Sequence, residues 1–221
     1  MTAAESARHT SFGQSGGLTP VDRFGVWLSL RQIRRTVGDV RGKDVADFGC
    51  GYDARTMRLL LPQVASATLV DLAIAPDLVA DRRVRAIQGP LPDVLGPLPS
   101  ASLDVILCMS VVEHLWEPDV TLAEFHRLLR PGGVCAINVP SWLGKRALEF
   151  SAFKLGWSPF EEMDDHKNYY DPRDLWPMVV RAGFRPHAVR CFRHKFGLNT
   201  FAVCRVADQG DTGARTAEND R

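Results

Sequence analysis

The chain has 221 residues, 45% of them hydrophobic and 24% charged, and carries a formal net charge of +1. That length suits one substantial buried core and is short for two, while the composition excludes a wholly disordered or fibrous chain. A charge so near zero gives no electrostatic reason to expect a nucleic-acid partner.

Residues 1–20 are rich in Ser, Gly and Thr and read as a mobile leader able to order over a ligand. From Val21 to Val37 the positions Phe24, Trp27, Leu28, Leu30 and Ile33 recur near helical spacing, which predicts an amphipathic helix. Packing on the domain is its plain role, and a cap over a ligand is the alternative. A first strand over Asp44 to Phe48 leads to a helix from Ala54 to about Leu61, stopped by Pro62. The second strand ends at Asp71, and a short helix near Asp77 precedes a third strand, Val84 to Gln88, closed by Gly89-Pro90. A proline-rich loop runs into a fourth strand, Leu103 to Met109. A helix marked by Val120, Ala123, Leu128 and Leu129 then ends at Pro131-Gly132-Gly133, before a fifth strand from Val134 to Val139. Strand and helix alternate throughout, which argues for a mostly parallel sheet covered on both faces, with ligands at the carboxyl ends of its strands.

After Pro140 the alternation lapses. Residues 141–165 hold Trp142, Phe150, Phe153, Trp157 and Phe160 among charges and read as a helical lid insertion over the strand ends. A helix from Asp171 to Ala182 follows, with Pro172 in its first turn and Gly183 past its end. Two strands, about His187 to Arg193 and Thr200 to Val206, then form an antiparallel hairpin. Residues 21–206 therefore read as a single domain, and residues 207–221 as a disordered tail. The five cysteines are scattered, without metal-ligand spacing, and read as reduced core thiols; no metal site is expected. No leader peptide or membrane-length apolar run is seen, so the expected location is the cytoplasm.

The most informative stretch is Val45-Ala46-Asp47-Phe48-Gly49-Cys50-Gly51-Tyr52-Asp53, a strand that ends in an acid and opens into two close glycines. Such a turn lets backbone approach a ligand, because glycine has no Cβ and tolerates positive φ. Twenty residues past Gly51, Asp71 ends the next strand, where a carboxylate can accept both hydroxyls of a ribose. A dinucleotide site and an adenosyl site without pyrophosphate compete for these features. The dinucleotide fingerprint asks for a third glycine and a free helix N-terminus, and here Tyr52, Asp53, Ala54 and Arg55 follow instead. An acid at position 47 also suits a cationic ligand better than an anionic one.

The run Asp47 to Gly51 resembles the first motif of class I S-adenosylmethionine (SAM) dependent methyltransferases. Further resemblances follow in the same order: Asp71 at the ribose position, Ser102 to Ser110 as the fourth motif with Val112-Glu113-His114-Leu115 after it, Leu128 to Gly133, and Arg181-Ala182-Gly183-Phe184. The series spans about Lys43 to Val206. It implies a Rossmann-like, doubly wound seven-stranded α/β sheet with an antiparallel last strand, and SAM as cofactor. The residues it implies for the cofactor are Asp47, Phe48, Gly49, Cys50, Gly51, Asp71, Leu72, Gln88, Gly89, Pro90, Leu91, Met109 and Ser110. The segment after strand 3, Gln88-Gly89-Pro90-Leu91, lacks the family's usual acid, which leaves adenine to Gln88, a backbone carbonyl or Asp93. Asp53 stands where the family has a small residue and is expected to cap the next helix.

Methyl transfer to a hydroxyl needs a base. His114 follows strand 4, whereas His166 lies in Asp164-Asp165-His166-Lys167-Asn168-Tyr169-Tyr170; both are candidates, with Tyr169 beside them. His194, in the hairpin, is expected to be exposed and inert. The function implied is methyl transfer to a small-molecule acceptor, oxygen favoured, with no nucleic-acid or membrane partner and an unassigned oligomeric state. A SAM-binding partner or sensor without catalysis is the alternative, as is methylation of a protein or nucleic acid.

Overall fold

The computed structural model describes residues 11–14, 20–150 and 167–208. The expectations for most of the leader, for the insertion from 151 onward with His166, and for the tail past 208 lie outside the described residues. Helix α1 (Pro20–Thr36) leads to β1 (Asp44–Phe48), α2 (Arg55–Leu60), β2 (Ser66–Asp71), α3 (Pro76–Val79) and β3 (Val84–Gln88). Then come β4 (Leu103–Met109), α4 (Pro118–Leu128), β5 (Leu129–Pro140), α5 (Trp142–Phe150), α6 (Pro172–Arg181), β6 (Val189–His194) and β7 (Asn199–Arg205).

The strands form one sheet in the order β3-β2-β1-β4-β5-β7-β6. The first five are parallel to their neighbours, and β7 runs antiparallel between β5 and β6. The central strands read as near-continuous apolar runs because both faces are covered; in β4 only Asp104 and Met109 escape full burial. The edge strands β3 and β6 instead carry exposed arginines such as Arg85 and Arg190, charges that blunt an edge against unwanted pairing. One core, built around Phe48, Ile106, Phe125, Leu175 and Phe184, lies under α4 and α6. The other holds Ile33 of α1, Met57 and Leu60 of α2, Leu69, Leu107 and Phe201. α1 thus buries Leu30 and Ile33 against the sheet side of α2.

Two boundaries depart from the sequence reading. Asp53 does not cap α2: Ala54 holds that position in the left-handed region, and the Asp53 carboxylate pairs with Arg55 at 2.9 Å. β5 starts at Leu129 rather than Val134, because Leu129 already pairs with Leu103 before the register shifts to Val105 opposite Val134. The glycines read as a turn lie within the strand's span and bond to the chain after β7, Gly132 N–H to Val206 O at 3.0 Å and Val206 N–H to Gly133 O at 2.9 Å.

At the amino edge, Arg130 bridges Asp44 and Asp104 at 2.9 and 2.8 Å, while Ser66 donates to Asp44 at 2.6 Å. Four strands are thereby tied together away from any cleft, and the Ser66 hydroxyl, then Arg130, hold Asp44 below the usual carboxylate range. At the carboxyl edge, the chain leaving β5 is fixed to the β6–β7 turn. Ser141 N–H donates to Leu198 O at 3.0 Å and Ser141 Oγ to Gly197 O at 2.7 Å. Gly144 of α5 sits so close to this turn that a Cβ would collide with the Leu198 carbonyl oxygen. Gly144→Ala is therefore expected to lower stability in urea unfolding by about 1–3 kcal/mol, the usual range for overpacking. Gly96→Ala, where a Cβ meets nothing within 4 Å, is expected to stay within about 0.5 kcal/mol of the parent.

Candidate active site

The order of the sheet reverses between β1 and β4, since β2 and β3 extend one way from β1 and the later strands extend the other. At such a reversal the loops leaving the two strands diverge and open a crevice at their carboxyl ends. The turn Gly49–Gly51 fills one wall of that crevice, and Met109 and Ser110 end the strand beside it.

Gly49 and Gly51 have φ of 75° and 72°. A Cβ on Gly49 would drive into Val111, so the turn packs directly on the loop after β4. The N–H groups of Gly49 and Cys50 both donate to Val70 O, at 2.7 and 3.2 Å, and that of Gly51 donates to Asp71 Oδ2 at 2.7 Å. Three successive backbone donors are thus committed to β2. A pyrophosphate cradle needs such donors facing the ligand, and α2, six residues long with its first turn free of side-chain caps, offers no long helix dipole in their place.

Asp71 is the acceptor at the centre of this wall. Its Oδ1 takes the Leu72 N–H at 2.8 Å and the Ser11 hydroxyl. Ser11 is 4% exposed and is also anchored at Ala73, whose N–H donates to Ser11 Oγ at 2.6 Å. Phe12 O accepts the Tyr52 N–H at 3.0 Å, so the described part of the leader lies across the turn. The carboxylate therefore already accepts one hydroxyl, and an ionised carboxylate has about four acceptor positions in all.

Asp47 lies beneath the turn on the face of β1 that also carries Val45. It is 2% exposed, and burial, then the nearby Asp71 charge, push its pKa up to about 7. Two acids with no cation paired to them among the described residues disfavour a phosphate here and favour a ligand bearing positive charge. The Cys50 thiol is pushed up by burial and by the same two acids, so it is an unreactive wall and not a nucleophile.

The other positions implied for a cofactor divide. Phe48 turns its ring away into the core, 5.2 Å from Phe125, so only its backbone faces the crevice. Gln88 ends β3 opposite Asp71 and is exposed. Gly89 N–H donates to Asp71 O at 3.0 Å, and a Cβ on Gly89 would press on Val94 at 2.5 Å, which packs the Gly89-Pro90-Leu91 segment against the crevice's far side. Ser110 has φ of 60°, uncommon for a residue with a Cβ.

Across the crevice, His114 closes a single 3-10 turn after β4. Lys167 Nζ donates to His114 O at 2.9 Å, and the N–H groups of Lys167 and Asn168 donate to Glu113 O at 2.9 and 3.2 Å. Residues 167 and 168 are thereby tied to the loop after β4, and the Tyr169 ring lies 5.7 Å from that of Trp142, centroid to centroid. His194 is not the exposed residue expected from the hairpin. It is half-buried against Phe201, its Nε2 has no hydrogen-bond partner among the described residues, and burial followed by the Lys195 charge lowers its pKa to about 4. Asn138, near the end of β5, was not anticipated: it is fully buried, with Nδ2 3.4 Å from Ser110 Oγ and Oδ1 lacking a partner among the described residues. Neither Ser11 nor Asn138 belongs to a recognisable motif, and only spatial proximity singles them out. No group of metal-binding side chains occurs among the described residues, and no helix among them is long and apolar enough to cross a membrane.

Comparison with known proteins bears on the family and the fold. The profile of a family described as a methyltransferase domain matches residues 23–189. A protein of Mycolicibacterium smegmatis named a probable S-adenosylmethionine-dependent methyltransferase is 34% identical over 177 residues, which cover 78% of this chain and 64% of that protein. The ubiquinone biosynthesis O-methyltransferase of Idiomarina loihiensis is 28% identical over 161 residues, 67% of this chain and 64% of the relative. The chain thus spans just under two thirds of the length of either relative. In solved structures, the fold is shared with a complex of the Haloferax volcanii Trm112 methyltransferase activator and its methyltransferase, at a TM-score of 0.65 and 15% identity over 84% of this chain and 91% of that one.

Asp47 has a direct consequence for stability. Its pKa of about 7 in the fold, against 3.8 for the free group, means that the folded state holds this proton more tightly than the unfolded chain. The stabilisation from the protonated form is complete below about pH 4 and is lost as the pH rises through about 7. Asp47→Asn, which mimics the protonated acid, is expected to match the parent in urea unfolding near pH 4. It should exceed the parent by on the order of 2–4 kcal/mol at about pH 8.

Proposed function

The chain belongs to the class I SAM-dependent methyltransferases, and on that premise we propose that it transfers the methyl group of SAM to a hydroxyl oxygen of a small-molecule acceptor. The observation that carries the reading is the commitment of the Gly49, Cys50 and Gly51 N–H groups to β2, which leaves a cradle walled by Asp47 and Asp71. Such a wall suits an adenosine whose other end is cationic and pyrophosphate-free. When bound, SAM supplies a methyl carbon on a sulfonium leaving group.

In this reading Asp71 accepts the ribose hydroxyls. Ser11 has Ala73 as its second anchor and can release Asp71 to the ribose without leaving the wall. Asp47 balances the positive end, and the backbone of Gly49 to Gly51 forms the floor. Leu72 and the Gln88-Gly89-Pro90-Leu91 segment flank adenine, and Met109 and Ser110 face the reacting side. Excluding water and holding the acceptor hydroxyl in line are the chain's own contributions to rate. The hydroxyl proton goes to a base: His166, whose neighbour in sequence Lys167 is tied to the loop after β4, or His114 in that loop. Tyr169 then orients the acceptor as a neutral donor. Support for oxygen as the acceptor atom comes from the relative named a ubiquinone biosynthesis O-methyltransferase.

Titration calorimetry of the full chain tests the reading. SAM should bind and NAD should not, and Asp71→Ala should weaken SAM by about 1.5–3 kcal/mol, the loss of charge-assisted hydrogen bonds. Absence of SAM binding at about millimolar ligand would overturn the assignment. Unchanged affinity in Asp71→Ala would move the ribose elsewhere.

A further inference from the structure

Beyond the crevice, the carboxyl edge holds a second concavity. β6 runs parallel to β5, so Arg193 near the end of β6 stands on the same edge as Pro140 at the end of β5. Between them opens a cleft of about 630 Å³ whose walls include Trp142, Lys145, Arg146, Arg173 and Arg193, with Asp171 as the one carboxylate in its lining among the described residues. Three separate segments supply these side chains: the start of α5, the start of α6 and the end of β6. Along the sequence they form no basic stripe, and only the fold brings them together.

The walls are anchored. Ser141 and Gly144 fix the start of α5 to the β6–β7 turn. Tyr170 N–H donates to Pro140 O at 3.0 Å, which holds the approach to α6 beside β5. Lys145 Nζ lies 5.7 Å from the ring centroids of both Trp142 and Tyr169, a cation–π arrangement that keeps the ammonium at the wall. Arg146 and Arg193 are exposed and have no carboxylate partner among the described residues, and Arg173 Nε reaches Asp174 only at 3.9 Å. Arg146, Arg173 and Arg193, two of them without a carboxylate partner among the described residues and the third only loosely paired, repel one another, and a cleft that gathers three guanidinium groups is electrostatically completed by an anion. Guanidinium groups match carboxylate and phosphate oxygens in geometry as well as charge, and the indole of Trp142 offers an apolar face to whatever carries the anion.

We propose that this cleft binds an anionic group, carboxylate or phosphate, carried by the methyl acceptor, so that the acceptor is an anionic small molecule held by its charged end and methylated at the other. The assignment rests on the methyltransferase reading above. Distance supports it: at about 4.8 Å between neighbouring strands, β7 lies roughly 10 Å from β4 across the order β4-β5-β7. A molecule of a few rings or a short chain spans that gap, with its reactive end over β4 and its charge over β7. A nucleic acid fits less well, because the chain's net charge is only +1 and a cleft of this size takes an anionic group, not a nucleic-acid strand.

The test uses the full chain with phenyl phosphate, benzoate and neutral benzyl alcohol as probes, followed by calorimetry with and without SAM. The double variant Arg173→Gln/Arg193→Gln removes two exposed charges that the mechanism does not use, and its folding is checked by its urea midpoint. Both anions should bind and benzyl alcohol should not, and the variant should weaken the anions by about tenfold or more while leaving SAM affinity unchanged. Tighter phenyl phosphate assigns a phosphorylated acceptor, and tighter benzoate a carboxylated one. Equal binding of benzyl alcohol, or a variant that binds the anions as the parent does, overturns the proposal. Anion binding without SAM binding retracts the methyltransferase reading and leaves the anion site standing, whereas SAM binding without anion binding retracts the anion site alone.

Discussion

The site depends on how the turn after β1 folds back onto β2. By sending the N–H groups of Gly49 and Cys50 to Val70 O and that of Gly51 to Asp71, the chain satisfies its own backbone and fixes the Asp71 carboxylate in one step. A free amide left in a crevice would attract phosphate or water; a bonded one leaves the wall to side-chain charge, and here that charge is negative. The two glycines follow from the same constraint, since the backbone adopts positive φ at both and Val111 leaves no room for a Cβ at the first. Fold geometry and ligand chemistry are therefore set together at one turn.

Much of this was legible in the sequence because the signals are local. Apolar runs of strand length bounded by Gly, Pro or Asp place every strand of the sheet, and β1, β3 and β4 have the limits read from the sequence. The acid, the two glycines and Asp71 sit at strand ends, where periodicity alone exposes them. What the sequence did not disclose depends on long-range contact. Asp53 is a favourable capping residue, yet it turns to Arg55, and the left-handed Ala54 takes the capping position. The Pro131-Gly132-Gly133 signal is a genuine break in helix α4, but the chain resumes pairing before it and not after it, because β7 and the residue beyond it supply partners for the bulged stretch. His194 carries no motif, and its burial follows from Phe201 on the neighbouring strand.

The acceptor side of the edge was the least legible part, and the reason is topological. Residues 141–144 and 197–198 meet across more than fifty positions of sequence, through Ser141 and the close approach of Gly144. Neither residue type at its position announces a docking seam. Once that seam forms, it decides where Trp142 and Lys145 stand, and the antiparallel insertion of β7 decides that Arg193 faces them. The cofactor side is thus specified by residues near in sequence, and the acceptor side by a hairpin that must pair before its cleft exists. Relatives that share the first can differ in the second, which is consistent with a fold family whose members act on different acceptors.

The energetics of Asp47 connect these halves. A carboxylate buried without a cation and held near pKa 7 destabilises the folded state at neutral pH, and an amide or apolar residue of similar size would remove the penalty. Its position limits what offsets that penalty. No arginine or lysine among the described residues forms an ion pair with it, and the neighbouring Asp71 adds to the repulsion. Protonation relieves that penalty as the pH falls through about 7, and a cation lodging between the two acids would relieve it at higher pH. The basic cleft at the far end of the same edge has the opposite sign, so a bound cation and a bound anion are drawn to separate places. The end of β4, at Met109 with Ser110 after it, lies between the two.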